Sequence, residues 1–93
     1  MTKTEVFFEV VKEHTDKATL IPPTQVTYHK AEGGTTRYVG GFFMSADYDT
    51  LVEVNVYSPQ FIFLKAHSKG RGVKSVKEAS ITEAQSRLND MLT

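Results

Sequence analysis

Residues 51–57 read LVEVNVY and residues 61–67 read FIFLKAH. In the first stretch Val52, Val54 and Val56 fall on one side at a period of two, with Leu51, Glu53, Asn55 and Tyr57 on the other. In the second, Ile62, Leu64 and Ala66 share a side opposite Phe61, Phe63, Lys65 and His67. Only the turn-forming SPQ separates them. That is too short for a crossover, so the two strands are expected to pair as an antiparallel hairpin with the valine side buried. A sheet with one apolar side needs a second layer to cover it. The two ends of the chain supply that layer.

The N-terminal KTEVFFEVVKEHTD is rich in sheet-favouring Val and Phe, yet its spacing is helical. Val6, Phe7, Val10, Val11 and His14 gather on one side at about 100° per residue, with Phe8 at the edge of that side. Glu5, Glu9, Lys12, Glu13 and Asp16 lie opposite, and a strand would mix Glu with Phe7 and Val11 on one face. Thr2 with Glu5 fits a capping box, so a helix is expected from about residue 4 to 15. At the other end Ile81, Ala84, Leu88, Met91 and Leu92 form a narrow apolar stripe after a second capping box at Ser80 and Glu83. This predicts a helix over 81–92.

Between the helices, Pro22 and Pro23 interrupt regular pairing. TQVTYHK alternates over 24–30, and AEGGTT carries the glycine pair of a hairpin connection. RYVGGFFMS over 37–45 is the next strand, where Gly40 and Gly41 suggest a bulge or a close backbone approach. ADYD turns the chain into LVEVNVY. The expected fold is therefore α+β. A four-stranded antiparallel meander (24–30, 37–45, 51–57, 61–67) carries an N-terminal and a C-terminal helix on one face. Residues 68–76 form a basic loop before the last helix. The order of elements is similar to that of the frataxins in arrangement alone, without their residue patterns, and implies no function.

Ninety-three residues allow one domain, and 40% apolar with 24% charged residues is ordinary globular composition. With no cysteine in the chain, disulfides, thiolate metal sites and cysteine nucleophiles are excluded. Glu5, Glu9 and Glu13 interrupt the one early apolar run, so no signal peptide is read. No run approaches the length of a membrane span, and a cytoplasmic protein is expected. The net charge of zero hides a division. Five of the eleven Lys and Arg residues fall in 65–77 with no acid among them, leaving six against all eleven Asp and Glu elsewhere.

With the helices on the valine side, Tyr57, Phe61 and Phe63 lie on the uncovered face. Phe42 with Met44, or else Phe43, joins them according to a register that the glycine pair leaves open. Each such side chain forgoes roughly 1.5–3 kcal/mol by staying in water. Tyr57, Phe61 and Phe63 are therefore the expected partner-binding residues, most simply of a homodimer. The second candidate is polyanion binding by Lys65, His67, Lys69, Arg71, Lys74 and Lys77, with the rings as stacking platforms for bases. Neither the spacing of YVGGFFMS nor the order of elements matches the sheet-based RNA motif.

Nucleotide binding and catalysis find little support. GRGVKS has one residue between its glycines and Val73 ahead of Lys74, where a phosphate-binding loop needs four residues and Gly directly before Lys-Ser. His14, His29 and His67 lie on different elements without ligand spacing. The Glu5, Glu9, Glu13 and Asp16 stripe includes Lys12 and reads as a solvated helix face. No nucleophile elbow occurs. The expectation is a small non-catalytic binding protein, without metal or cofactor, that acts through its open sheet face and the adjacent basic loop. The alternative is a nucleic-acid-binding accessory protein using residues 65–77.

Overall fold

The computed structural model describes residues 1–14, 19–20, 27–30 and 36–93, and side chains over 1–14 and 38–93. Helix α1 (Lys3–Val11) opens the chain, and strands β1 (Thr19–Leu20), β2 (Thr27–Lys30), β3 (Thr36–Met44), β4 (Thr50–Ser58), β5 (Phe61–Ser68) and β6 (Gly72–Glu78) follow. Helix α2 (Ile81–Leu92) closes it. All described pairings are antiparallel, in the order β1-β3-β4-β5-β6. β1 and β2 share the outer edge of β3 end to end, β1 against Phe43 and Met44, β2 against residues from Thr36 to Gly40. The α+β arrangement is the expected one, with two helices covering one face of an antiparallel sheet. The four expected strands correspond to β2–β5, and β1 and β6 add to them. Residues 24–26 of the first expected strand lie outside the described residues.

The helices form for the reasons read from their spacing. Thr2 Oγ1 accepts the Glu5 N–H at 3.1 Å and Glu5 Oε1 accepts the Thr2 N–H at 2.8 Å, which completes the capping box. The helix ends at Val11, earlier than the expected residue 15. Lys12 is the C-cap, and the His14 N–H reaches back only three residues, to the Val11 carbonyl at 2.9 Å. Ser80 Oγ accepts the Glu83 N–H at 3.1 Å to start α2. Val6, Phe7, Val10 and Val11 of α1 and Ala84, Leu88 and Leu92 of α2 are buried in one core. Val39, Phe43, Val52, Val54, Val56, Ile62, Leu64 and Ala66 of the sheet complete it. Gln85 Nε2 donates to the Glu9 carbonyl at 2.8 Å, and Arg87 Nε to Glu78 Oε1 at 3.0 Å, which tie α2 to α1 and to the end of β6.

The structure decides one open alternative and corrects one expectation. The pairing of β3 with β4 runs without interruption from Val39↔Val56 to Met44↔Leu51, so Gly40 and Gly41 make no bulge. Gly40 serves a close approach instead: a Cβ there would lie 2.1 Å from Asn55 Oδ1 and 3.1 Å from the Val54 carbonyl. The correction concerns the basic loop expected at 68–76. Residues 72–78 are β6, paired with β5 from Ser68↔Gly72 to Ile62↔Glu78, and only 69–71 turn. Gly70 and Gly72 take the positive φ angles, +72° and +78°, that a side chain disfavours. Beyond them the lysines suit an outer strand, where charge discourages further pairing and costs no core.

Candidate functional site

The settled register assigns the residues of β3 from Tyr38 onward, and of β4, β5 and β6, to a face. Phe43 opposes Val52 in the core, so Phe42 and Met44 belong to the open face. Four rows cross that face. Met44, Leu51, His67 and Val73 make the first, and Phe42, Glu53, Lys65 and Ser75 the second. Gly40, Asn55, Phe63 and Lys77 make the third, and Tyr38, Tyr57 and Phe61 close the sheet at the β4–β5 hairpin. Among the described residues, no element packs against this face.

Tyr57, Phe61 and Phe63, the three expected partner-binding residues, are brought together. The ring centroids of Tyr57 lie 5.2 Å from Phe61 and 5.8 Å from Phe63, and those two rings are 5.1 Å apart. All three contacts are edge-to-face, with interplanar angles of 72–79°. The register explains the cluster. β4 carries an irregularity between Val56 and Ser58, so Tyr57 is an extra residue against β5, within reach of both Phe rings.

Tyr38 is a fourth ring that the sequence did not assign, 5.0 Å from Tyr57. Partial burial first, and then the neighbouring Tyr57 and Glu53, push its phenol above the ordinary value, so it stays neutral. The signal that identifies it is the parity of β3, legible once Phe43 is known to be inside. A groove of about 240 Å³ runs beside the rings, lined by Asn55, Tyr57, Phe63, Leu64, Lys65 and Ser75.

The six expected polyanion-binding residues are not brought together, and this corrects the picture of one basic loop. Lys65, His67 and Lys77 point out of the open face, and Lys77 Nζ sits 4.6 Å from the centre of the Phe61 ring. Lys74 pairs with the buried Ala66 and so belongs to the opposite, helix-bearing side. Lys69 and Arg71 are turn residues fastened to the β3–β4 turn. The Lys69 N–H donates to the Asp49 carbonyl at 3.1 Å, and the Arg71 guanidinium is ion-paired with the Asp49 carboxylate. Strand alternation has divided a run that is continuous in the sequence.

Arg71 and Lys74 instead line a cleft of about 550 Å³ at the end of α2, together with Asp47, Asp49, Arg87 and Asp90. Its charges balance, and Arg71 and Arg87 are already paired within the chain. In the adjoining turn Asp47 Oδ1 accepts the Ser45 hydroxyl at 2.6 Å and the Asp49 N–H at 3.0 Å, which hold its carboxyl below the usual range. Among the described residues, no three His, Asp or Glu side chains gather as a metal site, and no helix is long and apolar enough to cross a membrane. Comparison with models of known protein families, with curated proteins and with solved structures finds no match.

Proposed function

We propose that this protein is a non-catalytic protein-binding module that works through the open face of its sheet, a second copy of the chain being the simplest occupant. The observation that carries the reading is the four-ring cluster of Tyr38, Tyr57, Phe61 and Phe63 on a face that no described element covers. Phe42, Met44 and Leu51 extend the apolar surface across the sheet, and Val73 on β6 is 60% exposed. Exposed apolar surface gathered on one face in this way marks interaction sites. Edge-to-face rings flanked by a few charges resemble the aromatic centre and polar rim of protein interfaces.

Lys65, His67 and Lys77, interleaved with the rings, support a second reading, contact with single-stranded nucleic acid. Two observations weigh against it. The rings turn their flat faces toward one another's edges, whereas stacking needs flat faces turned outward. Arg71 and Lys74 also lie away from the face.

Sedimentation equilibrium over a range of concentrations tests the reading. The expected result is an apparent mass rising from the 10.4 kDa of one chain to twice that value. Phe63→Asp should hold the mass at one chain with an unchanged circular dichroism spectrum, because it puts a charge on the face and none in the core. A mass that rises equally in the variant would remove the open face from the account. Fluorescence anisotropy with a labelled single strand decides the second reading. Binding lost on Lys65→Ala with Lys77→Ala, at a log–log salt slope near about −2 for three contacts, would put nucleic acid in its place.

A further inference from the structure

Resting on the reading of the open face as a protein-binding surface, we infer that two copies of this chain pack sheet on sheet about a two-fold axis. That axis runs along the strands between β4 and β5. A two-fold interface must be complementary to itself, which most surfaces are not. This face has the required pattern at its centre. Glu53, partly exposed, and Lys65, exposed, are cross-strand neighbours there, and no ion pair joins them. Met44, Leu51 and Val73 lie in the row on one side of them, and Phe63 with the ring cluster beyond it lies on the other.

Rotation about an axis lying in the interface and parallel to β4 and β5 sets each residue of these two strands opposite its own cross-strand neighbour on the other copy. Glu53 then faces the partner's Lys65, and by symmetry the contact is made twice. Tyr57 meets the partner's Phe61. On the outer strands bulk meets hollow: Phe42 faces the partner's Ser75, whose small side chain borders the groove of about 240 Å³. Gly40 lies opposite the partner's Lys77. The two sheets would pack with nearly aligned strands, one of the two ways sheets stack. An axis across the strands would set Glu53 against Glu53 and Lys65 against Lys65 in a drying interface, which disfavours association. Of these two axes the charge pattern favours the one along the strands.

Charge exchange tests the arrangement, by sedimentation of the full chain at low salt with circular dichroism as a folding control. Glu53→Lys alone and Lys65→Glu alone should each weaken self-association about tenfold or more, since each places like charges opposite one another at two symmetric contacts. The double variant, with both exchanged, should recover the unmodified affinity. An equimolar mixture of the two single variants should form a heterodimer tighter than either variant's own dimer. Single variants that associate like the unmodified chain would overturn the axis. If Phe63→Asp still gave a monomer in that case, the open face would remain the binding surface. If Phe63→Asp had no effect either, that reading would fall as well. An unmodified chain that stays monomeric at every concentration would overturn the second copy as occupant.

Discussion

Leu88→Ala probes the packing that leaves one sheet face free. Leu88 is fully buried in the middle of the α2 stripe, with Ala84 and Leu92 on either side and the inner residues of β4 and β5 beneath. The substitution removes three carbons, worth about 2.4 kcal/mol at roughly 0.8 kcal/mol each. It also leaves a cavity whose cost depends on how far the walls close in. One wall is a sheet whose two central strands are hydrogen-bonded on both sides, so little closure is expected. The total should therefore fall at about 3–5 kcal/mol, in the upper part of the range for such changes. At about 0.05–0.15 kcal/mol per residue a chain of this length has roughly 5–14 kcal/mol in all, so much of its stability is lost. Urea denaturation at fixed protein concentration should show the loss as a lower midpoint with an unchanged slope. Met91→Ala, at the half-buried edge of the same stripe, should cost visibly less. A loss under about 1 kcal/mol for Leu88→Ala would refute the argument that α2 is pressed against an unyielding sheet.

Backbone conformation gives two expectations of opposite sign. Gly70→Ala should destabilise by about 1–2 kcal/mol, because φ is +72° and the space around it is open, so strain alone is added. Tyr48 is a non-glycine residue at φ +60° and 57% exposed, so Tyr48→Gly should be close to neutral or slightly stabilising in thermal melts. Limited trypsin digestion should nick after Lys69 or Arg71 before it cuts after Lys74 or Lys77, since the latter pair lies in a hydrogen-bonded strand; early cleavage after Lys74 would mean that β6 is not formed. The pH dependence has its sign fixed by Asp47. Its folded pKa is depressed by the Ser45 hydroxyl and the Asp49 N–H, so its contribution is present above the unfolded value and lost as pH falls through the folded one. Asp47→Asn should therefore flatten the acid limb of a stability profile, and an unchanged limb would show that these bonds do not persist in solution.

The parts of this fold legible in sequence are those where burial imposes a period. The valines of β4 and the stripe of α2 each have a side that must be covered, and both lie where their spacing puts them. β6 has no such side. Val73 and Val76 fall on opposite faces, and at the sheet edge neither needs deep burial, so a run of lysines and glycines reads as a loop. Only its pairing with β5 identifies it. The same pairing divides the basic residues, because Lys65 and Lys77 share one parity and Lys74 takes the other. Tyr38 is illegible in the sequence for a different reason. Gly40 and Gly41 carry no side chains to set the register of β3, and what fixes it is tertiary, with Asn55 lying over Gly40 and Phe43 opposing Val52. Tyr57, Phe61 and Phe63 are legible in the sequence because adjacent alternating strands place them on one face whatever β3 does.

Hydroxyl-radical footprinting across a dilution series tests most directly whether the open face is an occupied one. Tyr48 and Phe8, 57% and 49% exposed and outside the face, serve as internal references whose reactivity should not change with concentration. At concentrations where the sedimenting mass is that of two chains, Tyr57, Phe61, Phe63 and Met44 should be protected together, and dilution to one chain should release them together. Phe61 is 36% exposed in the single chain and should show the clearest change. Oxidation of these four residues at the same rate at every concentration, while the mass doubles, would place the interface elsewhere and contradict the account.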